Sequence, residues 1–267
     1  MTAKQIVARV RLLDVVATMF LACVLAAPAC ARQAELGSIG DGPASVLWRG
    51  TFEPGNLSEW TADGEGGSYS QNTPGKPSAT MAMAHNGHYA GLFTIAPTAG
   101  MMSTGYLFRN QPSPPQGYYS AWYYVPSTTT VGLWLSLSHF SGSETGDGRN
   151  LAALWDVNLY PLAAGGLAAQ LYDYAGTGFN LRQVTPVPFP LDAWVQLEVY
   201  LSKATGPTGE VTVWQDGVQI LQRSNIATVS NDWVQWDAGG AADASSLPAS
   251  VYMDDAAISL APVGPGS

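Results

Sequence analysis

The chain has 267 residues, of which 46% are hydrophobic and 12% charged, enough apolar content to bury a sizeable core and too much for a disordered chain. Its net charge of −9 excludes nucleic acid as a natural partner, because phosphate binding needs clustered Lys and Arg. Both cysteines, Cys23 and Cys30, fall near the N-terminus, so the domain that follows contains no disulfide.

The first segment reads as a signal peptide over residues 1–31. Lys4, Arg9 and Arg11 precede an apolar run, residues 12–29, broken by Asp14 and Thr18 and closed by Ala27-Pro28-Ala29-Cys30-Ala31. Cleavage before Cys30 leaves a lipid-anchored cysteine, whereas cleavage after Ala31 leaves a soluble secreted protein. A lipobox usually places Leu where Ala27 stands. A membrane-spanning anchor is the competing reading, but the run is short and small residues end it. The expected location is therefore secreted, periplasmic or on the outer surface, with a lipid at Cys30 as the one tie to a membrane. Without residues 1–31 the chain keeps 8 Lys and Arg against 19 Asp and Glu, a net charge of −11. Such a product suits a strongly anionic polysaccharide only if a basic cleft lies within the acidic surface.

Residues 32–45 read as a linker, 46–260 as one domain and 261–267 as a flexible tail. Within the domain the pattern is strands and turns. Residues 46–52 form a first strand. Residues 79–85 and 88–95 flank Asn86-Gly87, a hairpin signal because both turn residues tolerate positive φ. Residues 104–108 follow. The aromatic stretch 117–140 then predicts two adjacent strands of one sheet, with Leu133, Leu135, Leu137 and His139 sharing one face and Trp134, Ser136, Ser138 and Phe140 the other. Residues 151–160 and 167–174 are joined through Gly165-Gly166. Residues 194–201, 210–214 and 218–222 come next, the last two turning at Asp216-Gly217, and residues 251–260 close the domain. Roughly a dozen strands at about 10 to 15 residue spacing predict an all-β, two-sheet antiparallel jelly-roll sandwich.

Alternation also predicts a polar face. Asp156, Asn158 and Tyr160 share one, as do Gln170, Tyr172 and Tyr174, while Gln196, Glu198 and Tyr200 line up on a strand assigned to either sheet. With Trp122, Tyr124 and Trp134 these residues suit sugar, since aromatic planes stack on a pyranose and amides or carboxylates bond its hydroxyls. The alternative is an ordinary solvent face, which would carry more Lys, Glu and Thr and fewer Tyr.

Five landmarks stand in order: Phe52-Glu53-Pro54-Gly55-Asn56-Leu57-Ser58-Glu59-Trp60, Gly87-His88-Tyr89-Ala90, Tyr118-Tyr119-Ser120-Ala121-Trp122-Tyr123-Tyr124-Val125-Pro126, Gly209-Glu210-Val211-Thr212-Val213-Trp214-Gln215-Asp216-Gly217, and Val251-Tyr252-Met253-Asp254-Asp255-Ala256-Ala257-Ile258-Ser259. Together they resemble concanavalin-A-like lectin/glucanase jelly rolls, particularly the bacterial polysaccharide-lyase-like branch related to heparin lyase I. The resemblance implies a histidine and a tyrosine on the concave sheet as base and acid, and a polar or basic group that neutralises a uronate carboxyl. Here it points to His139, to Tyr172 or Tyr174, and to Asn158 or Arg149. The family's Gln-x-His is replaced by Ser136-Leu137-Ser138-His139, and strict alternation turns His139 toward the aliphatic face unless a bulge re-aims it. The resemblance also implies a structural calcium held by Glu53 with Asp254 or Asp255, against the reading that Asp254-Asp255 ends a strand pair in solvent.

Other chemistry finds less support. The Glu-x-Asp-x-x-Glu string of retaining glucanases is absent, which leaves only Asp156 and Glu198 facing each other across a groove as a hydrolase arrangement. His85-x-x-His88 lacks a third zinc ligand. There is no Gly-x-Ser-x-Gly elbow and no phosphate loop, hence no expected organic cofactor. The expectation is a secreted polysaccharide-binding jelly roll. The alternative is a lyase that β-eliminates a uronate glycan, and the third is a structural or adhesive surface module.

Overall fold

A computed structural model describes residues 45–98, 100–174 and 178–266. The expected signal peptide, Cys30 and the expected linker up to residue 44 lie outside them. Among the described residues sixteen strands build two antiparallel sheets of eight. They are β1 (Val46–Gly50), β2 (Gly66–Gln71), β3 (Ser78–Thr80), β4 (Ala90–Ile95), β5 (Ser103–Arg109), β6 (Gln116–Tyr124), β7 (Leu135–Ser143), β8 (Leu151–Pro161), β9 (Leu167–Asp173), β10 (Phe179–Arg182), β11 (Pro188–Phe189), β12 (Trp194–Ser202), β13 (Gly209–Gln215), β14 (Val218–Ile226), β15 (Val234–Ala242) and β16 (Ala249–Ser259). One short helix, α1 (Ser58–Thr61), interrupts them. Sheet A runs β14-β13-β12-β6-β16-β4-β3 with β1 on β16, and sheet B runs β10-β9-β8-β7-β15-β5-β2 with β11 on β9. The two form a jelly-roll sandwich.

The core lies between the sheets and is built by alternation. Val195, Leu197, Val199 and Leu201 of β12 and Tyr119, Ala121 and Tyr123 of β6 are buried from sheet A; Trp155, Val157 and Leu159 of β8 meet them from sheet B. Tyr119 packs edge-on against Phe140 at 5.1 Å and against Trp236 at 5.6 Å, which ties the two sheets at their centre.

Three expectations change, and one strand appears that alternation does not predict. The aromatic stretch 117–140 is not two neighbouring strands, because β6 belongs to sheet A and β7 to sheet B. Residues 125–134 cross between the layers, and the two strands meet through the core, where the Tyr123 hydroxyl donates to the Leu137 carbonyl at 2.8 Å. Asn86-Gly87 is not a two-residue hairpin turn. β3 and β4 do pair, but residues 81–89 form a longer loop pinned by Asp254, which accepts the His85 N–H at 2.9 Å, and by Glu53, which accepts those of His88 and Tyr89 at 2.8 and 3.0 Å. Residues 261–266 are not loose, since the Val263 N–H donates to Glu198 and the Gln196 amide donates to the Gly264 carbonyl. Finally β15, a central strand of sheet B, carries no alternation in its sequence. Its Gly239 has φ of +140°, and a Cβ there would lie 2.6 Å from the Gly105 carbonyl oxygen, so only glycine fits.

The bulge in β7 sets up the site. Ser136 pairs with Asn158 and Ser138 with Val157, so β7 spends two residues where β8 spends one. Leu137 and Ser138 both turn inward, where the Ser138 hydroxyl accepts the buried Trp236 indole N–H at 2.9 Å. His139 is thereby moved off the aliphatic face that strict alternation assigns to it, and opposes Asp156. Replacing Ser138 with Ala leaves that N–H unpaired and is expected to cost about 1–3 kcal/mol of stability, read as a lower urea midpoint with an unchanged m-value.

Candidate functional site

The outer face of sheet B carries a cleft of about 660 Å³. Its floor comes from alternate residues of five strands: Tyr69 and Gln71 of β2, Thr104, Tyr106 and Phe108 of β5, Gln235 and Asp237 of β15, Ser136, His139 and Ser141 of β7, and Asp156 of β8. Tyr174, Trp134, Trp233 and the Asp147-Gly148 loop form its sides. The backbone N–H of Trp134 is held by Asp243, and that of Trp233 by Asn231, so both indoles are carried on anchored turns.

At the centre lies a proton-sharing network. His139 Nδ1 is hydrogen-bonded to Asp156 Oδ1, and the Tyr174 hydroxyl donates to Asp156 Oδ2 at 3.0 Å. His139 Nε2 lies 2.9 Å from the Ser141 hydroxyl and 3.9 Å from Asp237 Oδ2. Asp237, His139 and Asp156 stand opposite one another on three adjacent strands. Tyr106 stacks beside the imidazole at 6.2 Å between ring centres.

Burial works against the imidazolium, yet the charge and hydrogen bond of Asp156, aided by the charge of Asp237, outweigh it and hold His139 at about 9 instead of 6.5. Burial raises Asp237 to about 6, an effect the His139 charge only partly offsets. Burial, followed by the Asp156 charge, pushes the Tyr174 and Tyr106 hydroxyls above their ordinary value, so both remain neutral donors near pH 7. Buried side-chain oxygens on this face, among them those of Thr104, Asn110 and Asn158, have no protein hydrogen-bond partner, which suits a polar ligand.

Of the residues singled out from sequence, Trp134, His139, Asp156 and Tyr174 gather in the cleft. Asn158 and Gln170 lie on the same face one row away, where Gln170 accepts from Arg182 at 2.9 Å and the Arg182 guanidinium covers the Tyr160 ring at 4.3 Å. Tyr172 packs on Tyr174 but donates its hydroxyl to the Gly178 carbonyl. Arg149 sits outside the lining, 83% exposed, beside Asp147. Trp122 and Tyr124 lie on sheet A, away from the cleft, in an aromatic cluster with His85, Trp194 and Tyr252. Glu198 is likewise on sheet A, so it does not face Asp156 across a groove. Among the described residues no three His, Cys, Asp or Glu side chains gather as a metal site. The oxygens of Glu53 and Asp254 accept N–H donors of the 85–89 loop, and Asp255 binds the His85 imidazole. Sequence reasoning missed Asp237, Gln235 and Trp233, which surround a strand without alternation. It also missed Tyr106, which sat on a recognised strand.

No protein-family model matches the chain, and no curated protein matches it by sequence. Its fold is similar to that of the endo-β-1,4-glucuronan lyase from the fungus Trichoderma reesei, at TM-score 0.60 and 15% identity over 81% of this chain and 96% of that one. It is also similar to the cellulose-induced protein Cip1, at 0.59 and 14% over 82% and 99%, and to the marine alginate lyase from Aplysia kurodai, at 0.57 and 11% over 82% and 100%. Likeness at such identity establishes the fold alone.

Because His139 titrates higher folded than its ordinary 6.5, its pairing stabilises the protein fully below that pH and the contribution is lost as pH rises through about 9. One of the three histidines is therefore expected to titrate near 9 by NMR, with thermal stability falling over the same window. Asp156→Asn is expected to lower that midpoint by about one unit or more.

Proposed function

We propose that the cleft on sheet B binds a polysaccharide and cleaves it by β-elimination beside a uronate. The observation that carries this reading is the His139–Asp156–Tyr174 network in an open cleft. Its support includes the folds of proteins described as glucuronan and alginate lyases.

In this reading neutral His139, through Nε2, removes the proton α to the uronate carboxyl. The electron pair left on carbon forms the new C=C bond, the glycosidic C–O bond at the β position breaks, and the departing oxygen takes the Tyr174 proton. Asp156 fixes the imidazole through Nδ1 and stabilises the imidazolium that forms, while also orienting the tyrosine. Ser141 and Asp237 flank Nε2 and limit its rotation.

A second reading, binding without cleavage, draws on the absence of Lys and Arg among the described residues of the lining, since a uronate carboxyl is most simply neutralised by such a group. A panel of uronate polysaccharides separates the two when ultraviolet absorbance of the unsaturated product is followed beside affinity electrophoresis. Cleavage is expected, with kcat/KM rising through about pH 9 as His139 loses its proton. His139→Ala and Tyr174→Phe are each expected to lower kcat/KM by about 10²–10⁴, Tyr174→Phe with retardation nearly unchanged. Retardation without absorbance on every polymer would leave binding alone, and neither signal would leave a structural or adhesive module.

A further inference from the structure

The charge of the cleft narrows what it can hold. Among the described residues that line it, Glu65, Asp147, Asp156 and Asp237 are carboxylates, and none is Lys or Arg. His139, the one cationic group, is already shared by Asp156 and Asp237. Arg149 stands outside the lining and pairs with the rim carboxylate Asp147 at 3.6 Å, and Arg182 is engaged by Gln170 and Tyr160. The remaining lining is hydroxyl, amide and aromatic, which bonds and stacks on uncharged sugar.

A polymer with a free carboxylate on every sugar would place like charges against Glu65 and Asp147 at the rim and Asp237 at the floor, where the cations present, Arg149 beside Asp147 and His139 between Asp156 and Asp237, are already paired. Such repulsion between like charges acts as discrimination against the wrong partner.

We propose that the cleft takes a uronate glycan of low charge density, with one free carboxylate at His139 and uncharged sugars on either side. The neighbours are uncharged because they are neutral sugars or because their carboxyls are esterified. The proposal rests on the lyase reading for where the glycan lies, and it adds the substrate class.

Affinity electrophoresis tests it with three polymers: polyglucuronate, the same polymer methyl-esterified, and a heteropolysaccharide in which glucuronate is spaced by neutral hexoses. At low salt, at least one low-charge polymer is expected to retard the protein at a concentration about tenfold or more below that needed for polyglucuronate. Added salt screens the repulsion and is expected to narrow the gap, and Glu65→Gln combined with Asp147→Asn is expected to narrow it at constant salt. Which low-charge polymer is retained tells esterification from spacing. The proposal is overturned if polyglucuronate binds as tightly or more tightly, if salt weakens polyglucuronate binding selectively, if the double variant leaves the gap unchanged, or if no polymer is retained. Absorbance read in parallel separates the two ideas. The expected order of affinity with no unsaturated product sinks only the lyase reading, whereas cleavage chiefly of polyglucuronate sinks only the low-charge proposal.

Discussion

One extra residue in β7 links the packing of this sandwich to the chemistry of its surface. Leu137 has no register partner in either neighbouring ladder, and a backbone group left out of a ladder is costly when buried. The sandwich satisfies its carbonyl from the opposite sheet, through the Tyr123 hydroxyl, and satisfies Trp236 through the inward Ser138. On β15, Gly239 and Gly240 provide the matching irregularity, spending three residue steps where β7 spends two. The bulge is thus held on both flanks and from behind, and its consequence is that Ser136, His139 and Ser141 all face the cleft.

That placement brings together charges that would be unfavourable separately. A buried imidazolium loses hydration, as does a buried carboxylate, and each is tolerated because the other is present. Asp156 is the better partner because it contacts Nδ1 directly, whereas burial pushes the more distant Asp237 toward its neutral form and the His139 charge offsets this only in part. Removing Asp156 changes the charge that acts on His139, Asp237 and Tyr174, so these three titrate as a coupled group.

Sheet A shows how the same sequence pattern serves a different end. Tyr118, Trp122 and Tyr124 of β6 also point away from the core, but they meet Tyr200, Trp194, Tyr252 and His85 and not a cleft. The C-terminal segment crosses this face between them, held at Gln196 and Glu198. Those two residues are polar on an outward face, as alternation implies, yet they are buried because the tail covers them.

The strands whose pattern is local were legible in the sequence. Alternation located β6, β8, β9, β12 and β13, the Gly165-Gly166 and Asp216-Gly217 turns joined their neighbours, and the aliphatic faces of β8 and β12 identified the core. It also brought Trp134, Asp156 and Tyr174 onto candidate polar faces, and singled out His139 with the condition that a bulge would have to turn it. Only the tertiary structure decided which sheet each strand enters, that β6 and β7 face one another across the core, and that Asp237 flanks the histidine from a glycine-broken strand. The reason is physical. Side-chain alternation follows from the geometry of a single strand, whereas sheet membership, bulges and ladder register arise from hydrogen bonds between residues distant in sequence, and a shift of one residue reverses every face.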